Sequence, residues 1–529
     1  MPDCPLACRM SVAVRGRFRR DKPAFVKLAN QFGFGYTYDE DCNRKEACPS
    51  CREVPFCPAC AECSAADEVH QVIQTVRTSG SQFGSLRTPL PWPEKECDEG
   101  YGIGLIENWR ANSSAWCLPL DGAPQPGQPA ASSIQYHLLR TMGTTEVRNK
   151  AIVDITNLQV DMAKVSMARG GELMATIMGQ NEGLESMQVA DGALSGGCQP
   201  TPEMRPDSLV EPHSQILGSW RTASAQSSSA CTETVDGTSL IVTRFEFANW
   251  YHVLTDLINV FITMEVLEID PALTTVVVFD GHPQTVFDEV YEKLVGGGLK
   301  RLGRLTGETG RACFKRAAFV PVGYDAPIAS GWGKPNPCFD SSVLRAFAYR
   351  VLEIYDVLDT PQPVRPSILF VFRADYVAHP RDQDGRRRNK ISNEDELLAL
   401  ARAATDVNVS AVNLERLSFK EQLRVIRSTN ILIGMHGAGL SHAVFLPEEA
   451  VVVELFPEHV KKKKHFRNLA RLRGHTYLPW QNQDRRNEID DYTTKVDIES
   501  FREVLASAVR VARNFRFSND YFGLSKVRL

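Results

Sequence analysis

The chain has 529 residues, of which 43% are hydrophobic and 23% charged, and a formal net charge of −4. That length exceeds what one hydrophobic core holds and points to two globular lobes with added segments. The charge balance excludes a protein built mainly to neutralise nucleic-acid phosphates, so no nucleic-acid partner is expected. No run of about 18 apolar residues occurs, so no transmembrane helix is expected. Met1 to Met10 lacks a signal-peptide core. Membrane attachment, if any, is expected only through an anchor not present in this chain.

Residues 1–70 form a Cys-rich head, in which Cys48, Cys51, Cys57, Cys60 and Cys63 sit at CxxC spacing. Zinc ligation and a small disulfide knot both remain open there. Residues 71–235 read as a mixed stem or accessory region of the N-terminal lobe, interrupted by Gly-, Pro- and Ser-rich runs at 118–133, 195–212 and 223–230. Cys97, Cys117, Cys198, Cys231, Cys313 and Cys338 are spread through the folded body as disulfide partners in a secretory compartment would be. Sequons at Asn112 and Asn408 are compatible with that setting.

From residue 236 the apolar pattern alternates between strand and helix. Ser239–Phe247 reads as a strand, Asn249–Leu267 as a helix, Val276–Phe279 as a strand, Gln284–Leu294 as a helix and Ala317–Val322 as a strand. After a proline-rich link at 361–366 the series resumes with strand Ser367–Arg373, helix Glu394–Ala404 and strand Val407–Leu414. Helix Ser418–Ser428 follows, opened by the capping-box pair Ser418 and Glu421, and then strand Asn430–Ile433, helix Leu440–Leu446 and strand Ala450–Phe456. Such alternation predicts parallel sheets with right-handed crossovers. The fold class is therefore α/β, with an N-terminal lobe over 236–360, a C-terminal lobe over 361–480 and a helix in 481–529 that packs back. Ligands of such sheets bind beyond the C-terminal ends of the strands.

Four constellations fall at those strand ends. Asn249, His252, Asp256 and Asn259 share one helix face, where a His and an Asp one turn apart could act as base and orienting group, or the face could simply meet solvent. Arg373, directly after a strand, is placed to neutralise a diphosphate, whereas Arg386 to Arg388 suit surface salt bridges. Gly434-Met-His-Gly-Ala-Gly439 joins a strand to a helix, and its glycines can take positive φ and admit a phosphate to the backbone. His436 adds a side-chain donor. The glycine order is neither the dinucleotide fingerprint nor an ATPase loop, and the alternative is a tight turn with a core histidine. Glu454 on the following strand could accept hydrogen bonds from a ribose, or be a buried structural carboxylate. Lys461 to Lys464 read as a solvated basic run.

Three segments resemble the plant-type β-1,2-xylosyltransferases of N-glycan processing: Leu240 to Asn249 with His252 and Asp256, Arg373 to Arg381 with Asn393 and Glu394, and Gly434 to His442. Weaker likeness occurs at 279–282, 313–324 and 166–172, so the resemblance spans about residues 97–480. The His436 segment also resembles the wider group that includes the EGF-domain-specific O-GlcNAc transferases. The resemblance implies a GT-B fold, two facing Rossmann-like lobes with a cleft between them, and inverting transfer of xylose from UDP-xylose to the core β-mannose of an N-glycan in the Golgi lumen. It implies no obligate metal. Asp39-Glu-Asp41 and Asp382-Gln-Asp384 match a DxD pattern, and neither is read as a metal site.

Carried onto this chain, the resemblance makes Asp256 or His252 the catalytic base. Arg373, Lys390, Asn393, Glu394, Gly434, His436, Gly437, Ala438, Gly439, His442 and Glu454 become the nucleotide-sugar side. Arg244, Glu246, Asn249, Asp280 and His282 become the acceptor side. Lys390 stands where related sequences carry arginine, and loses the planar two-point contact with phosphate. The competing readings are a sibling enzyme using UDP-GlcNAc on a protein or glycan, a sugar-binding module on an inactive transferase scaffold, and a NAD-dependent oxidoreductase, which the glycine order disfavours.

Overall fold

The computed structural model describes residues 95–119, 131–139, 150–181, 183, 185–209, 211–223, 231–244, 246–323, 326, 329, 338–382, 384–404, 406–460 and 463–521. The Cys-rich head, its CxxC units and Asp39 to Asp41 lie outside them, as do Lys461 and Lys462. Residues 93–512 form one compact unit, separate from 1–92 and 513–529. Among the described residues no helix is long and apolar enough to cross a membrane.

The first half of the unit opens with helix α1 (Ile103–Ala111) and strands β1 (Ser113–Pro119), β2 (Ser133–Leu139) and β3 (Lys150–Asp161). Short strands β4 (Leu194–Gly196), β5 (Cys198–Pro200) and β6 (Arg221–Thr222) follow, then β7 (Glu233–Val242) and the long helix α2 (Trp250–Val266). Strand β8 (Thr274–Val278), helix α3 (Asp288–Leu294) and strands β9 (Leu299–Arg301) and β10 (Arg311–Phe319) complete the series. All these strands join one ten-stranded sheet whose main path runs β9-β8-β7-β10-β3-β2-β1-β5. The expected parallel sheet is only half of it. β9, β8, β7 and β10 pair in parallel, whereas β10, β3, β2, β1 and β5 pair antiparallel. From residue 113 the expected accessory region therefore supplies strands to the same sheet.

Three boundaries differ from the sequence reading for local reasons. β7 starts at Glu233 and stops at Val242, because the Arg244 N–H turns to the Asp280 carboxylate instead of the ladder. The helix expected from Gln284 starts at Asp288, since the Gln284 N–H bonds to the Glu172 carbonyl. β10 runs from Arg311 to Phe319 and not from Ala317 to Val322.

Helix α4 (Ser342–Ile354), absent from the sequence reading, is capped by the Ser341 hydroxyl accepting the Leu344 N–H at 3.1 Å. Then come β11 (Ser367–Phe372), α5 (Glu394–Arg402), β12 (Asn408–Asn413), α6 (Phe419–Arg427), β13 (Ile431–Met435) and β14 (Val451–Phe456). The predicted capping box of Ser418 and Glu421 forms. Helix α7 (His465–Leu472) and strand β15 (Thr476–Gln481) were not expected, and α8 (Ile498–Tyr521) packs Phe501, Leu505 and Val509 onto the sheet core. The second sheet, β12-β11-β13-β14-β15, is parallel throughout. Its central strands are buried on both faces, which is why they read as continuous apolar runs.

The six body cysteines form three disulfides: Cys97–Cys338, Cys117–Cys198 and Cys231–Cys313, with Cα separations of 5.4, 5.6 and 5.8 Å. Such bonds persist in oxidising compartments.

Candidate active site

The turn after β13 is set by how closely it approaches β11. A Cβ at Gly439 would lie 3.0 Å from Val371 Cγ1, and one at Gly434 3.3 Å from the Val371 carbonyl. At Gly437 it would lie 2.3 Å from Arg373 Nη2. Gly434 and Gly439 do not take positive φ, contrary to expectation; they serve close packing. The following segment, Ala438–Phe445, is a 3-10 helix and not the expected α-helix from Leu440. Its first internal bond runs from the Leu440 N–H to the Gly437 carbonyl, so Ala438 and Gly439 stand ahead of the first bonded amide.

Arg373 follows the last residue of β11. Its Nη1 donates to the Arg388 carbonyl at 2.7 Å, and the half-buried guanidinium has no carboxylate partner among the described residues. It lies against Gly437, and Glu415, bonded to the Ala374 N–H, acts on its charge only through space. Beside it, His436 is fixed from several sides. Its Nδ1 donates to Glu454 Oε1 at 2.6 Å, its carbonyl accepts from Asn389 Nδ2 at 2.7 Å, and its ring stacks on Phe456 at 5.4 Å. Glu454 is 1% exposed and also accepts from the Tyr477 hydroxyl. Each of its oxygens has a partner, and Glu454 orients His436. A ring whose Nδ1–H is committed to a carboxylate can donate a second hydrogen bond, from Nε2, only as imidazolium. Glu454 would stabilise that cation.

Several predicted residues are structural instead. His442 is buried, its Nδ1 facing the Gly439 carbonyl at 3.0 Å and its Nε2 facing Gln422 Oε1 at 2.9 Å. Burial pushes its pKa down to about 4, and it is the core histidine of the turn. Asn393 bonds both the N–H and the carbonyl of Val496 at 2.9 Å. Lys390 Nζ is held by both oxygens of Asp375 at 2.9 Å. Glu394 lies in the first turn of α5, its pKa raised by burial and by Asp395. Asp382 pairs with Arg387.

The helix that carries the base candidates is buried along most of its length, and its polar face is open only in part, at Asn249 and His252. Asn249 caps α2 by accepting the Tyr251 N–H at 3.0 Å. Asn259 Nδ2 donates to the carbonyls of Pro321 and Val322, both at 2.9 Å. Asp256 is 3% exposed, and burial raises its pKa well above the usual carboxylate value, with the Arg244 charge opposing and Asp280 reinforcing. His252, four residues earlier, is half-buried. Burial lowers its pKa and the Glu246 charge pulls it back up. Trp250 packs on Phe419 at 4.8 Å and His442 at 5.5 Å, and Tyr251 meets His465 at 5.4 Å. These contacts bring the start of α2 to the glycine turn. His465, which the sequence reading missed, lies 6.1 Å from His436; burial and the charges of His436, Lys463 and His252 push its pKa down to about 4.

The acceptor-side candidates divide. Arg244 and Asp280 are buried, joined by Nε–Oδ2 at 3.1 Å and Nη2–Oδ1 at 2.7 Å. Arg244 Nη1 continues to Asp288 at 3.1 Å, and Asp288 to Arg301. This quartet shapes the loops and has no free face for a sugar. His282 is buried between Glu185 Oε2 at 2.8 Å and the Arg244 carbonyl at 3.0 Å. Glu246, like Asn249, is partly open, its side chain 25% exposed, and its Oε1 accepts from His379 Nε2 at 2.8 Å and from the Ala248 N–H at 3.0 Å. Burial alone would raise its pKa, but His379 and that N–H hold it below the ordinary value.

Sequence reasoning thus missed Asn389, His465 and Tyr477 as neighbours of the turn and Glu185 as the partner of His282, and left His379 and Arg381 without a role. Residues 250–453 match the sequence model of the family Glycosyltransferase 61. The chain carries a glycosyltransferase 61 domain. That domain runs from α2 to β14 and so includes His252, Arg373, the glycine turn and His436. Across 452 residues the chain is 26% identical to the β-1,2-xylosyltransferase RCN11 of Oryza sativa subsp. japonica, covering 76% of this chain and 80% of that one. A β-1,2-xylosyltransferase of Arabidopsis thaliana is 25% identical over 403 residues, 63% of this chain and 74% of that one. The EGF domain-specific O-linked N-acetylglucosamine transferase of Drosophila melanogaster is 29% identical over 269 residues, 49% of this chain and 48% of that one.

Proposed function

We propose that this protein is an inverting glycosyltransferase of GT-B architecture that transfers xylose from UDP-xylose in β-1,2 linkage to the core β-mannose of an N-glycan, in the Golgi lumen. One observation carries the reading of the site: an arginine with no carboxylate partner among the described residues lies against Gly437, beside a histidine backed by a buried carboxylate. Two cation-capable groups at a strand-to-helix turn suit a departing diphosphate, where charge accumulates as the glycosidic bond breaks. The likeness to xylosyltransferases over about four-fifths of their length supports the donor and acceptor, since that to the EGF-specific transferase covers about half.

In this mechanism the imidazole of His252 takes the proton of the acceptor hydroxyl. Its oxygen bonds to the anomeric carbon from the face opposite the nucleotide, and the bonding pair to the diphosphate oxygen leaves with UDP. Inversion follows. Arg373 and imidazolium His436 balance the charge on UDP, without an obligate metal. Exposure favours His252 over Asp256 as base, because His252 is half-buried whereas Asp256 is shut away from an acceptor hydroxyl. The test is incubation of the purified chain, with and without EDTA, with a panel of UDP-sugars and a trimmed N-glycan, reading product mass. A gain of one pentose in both is expected. A gain of N-acetylhexosamine would instead make it a UDP-GlcNAc-dependent sibling, and absence of any UDP release would leave a binding module.

A further inference from the structure

Arg381 settles the tautomer of His379. A guanidinium can only donate, and Arg381 Nη2 lies 3.2 Å from His379 Nδ1, so that nitrogen accepts and the ring proton sits on Nε2. Nε2 therefore donates to Glu246 Oε1. Arg381 is held in turn by Glu185, whose Oε1 accepts from its Nη1 at 3.1 Å while Oε2 takes His282. Glu185 is fully buried, so both of its oxygens depend on these partners. The outcome is a hydrogen-bonded chain that starts at Arg381 and donates two ways, to Glu185 and, through His379, to Glu246.

Its ends, Glu185 and Glu246, lie in connections of the first sheet, and its middle comes from the second. His379 and Arg381 lie in the loop after β11, and Glu246 lies between β7 and α2. At Glu246 the arrangement is one-sided: Oε1 receives two hydrogen bonds, while Oε2 has no partner among the described residues. The same carboxylate acts electrostatically on His252.

We propose that Glu185, Arg381 and His379 are positioning residues that fix Glu246 as the carboxylate partner of His252, so that the proton acceptor is set only while the loop after β11 is docked on the segment before α2. This rests on the reading of His252 as base. Other charged groups that face this region are Lys463 and His465 from the start of α7 and His436 from the glycine turn, with Asp256 one turn further along α2.

The experiment compares His379→Ala, His379→Gln, Arg381→Ala and Glu246→Gln in the full chain, with UDP-sugar and acceptor glycan, recording kcat, both KM values, and kcat against pH. His379→Ala and Arg381→Ala are expected to lower kcat by about ten- to a hundredfold, the scale of a misplaced general base, with UDP affinity by calorimetry unchanged. Glu246→Gln removes the charge that favours protonated His252, so the acid limb of kcat moves to lower pH, and His379→Ala moves it the same way. His379→Gln offers an N–H to Glu246 and a carbonyl to Arg381, and recovers part of the loss. A merely structural role would reduce the active fraction with an unchanged pH profile, and that result, or kcat within about twofold of the parent for His379→Ala, overturns the proposal. His252→Ala separates the two readings: if it turns over normally, the base assignment itself fails; if it is inactive while His379→Ala keeps the parental profile, only the positioning chain fails.

Discussion

Replacing Glu454 by glutamine removes one charge and almost no volume from behind the glycine turn. The carboxylate is 1% exposed and accepts two hydrogen bonds, from His436 Nδ1 at 2.6 Å and from the Tyr477 hydroxyl. Glutamine can still accept from His436, and can donate to Tyr477 if that hydroxyl rotates, so both contacts survive as neutral ones. A hydrogen bond to a charged group contributes about 1.5–3 kcal/mol and a neutral one about 0.5–1.5. The contact to His436 therefore weakens by about 1–1.5 kcal/mol, five- to tenfold in an equilibrium constant. Because that contact orients the His436 ring at the turn, the loss should appear in donor binding: UDP affinity by titration calorimetry falls about tenfold, and thermal stability changes little. The effect should vanish in a His436→Ala background, since residues acting through one contact are not additive. Unchanged UDP affinity in Glu454→Gln, or an equal loss with and without His436, would refute the idea that this pair faces the diphosphate.

Gly437→Ala places a methyl 2.3 Å from Arg373 Nη2, so the guanidinium must move; donor KM is expected to rise about tenfold or more with an unchanged circular dichroism spectrum. Asp256→Asn should retain turnover within about fivefold, because the side chain is buried and asparagine keeps its shape; a hundredfold loss in kcat would restore Asp256 as base. Glu265 is 5% exposed, with Oε1 buried and unbonded, and burial lifts its pKa to about 8. The unfolded chain releases that proton near pH 4.5, so stability is lost as pH rises from there to about 8. Glu265→Gln should then stabilise the fold by up to about 3 kcal/mol at pH 7 and by nothing near pH 4, as read by denaturant unfolding at both pH values. In secretory expression Asn408, exposed at the start of edge strand β12, should carry a glycan. Asn112, whose amide donates to the Asn108 carbonyl at 2.8 Å, should not, and peptide mass mapping after deglycosylation distinguishes them.

The long helix α2 was legible to within a residue, because its apolar spacing is helical and Asn249 is a good cap. The parallel strands of the second sheet were legible for a related reason: burial on both faces leaves uninterrupted apolar runs. The antiparallel strands β1 to β3 were not, since their alternation is broken by Ser, Thr and Asn and by Gly- and Pro-rich connections. The candidate site was legible as a neighbourhood and blurred as a list of roles. Residue type and strand-end position located Arg373, His436 and His252. Neither could tell that His442 and Asn393 turn inward to backbone partners, or that Glu454 is held between His436 and Tyr477. The partners of Glu246 and Glu185 lie 133 and 196 residues away in sequence, and no local pattern announces them.

The quartet of Arg244, Asp280, Asp288 and Arg301 sums to no net charge, and its members lie on four separate stretches of chain. Changing any one of them strands an ion in the interior, at a cost of roughly 3–5 kcal/mol. Drift at these positions must therefore proceed through coordinated replacements, or through a neutral intermediate such as protonated aspartate, and descendants of this fold should inherit the four as a set or lose them together.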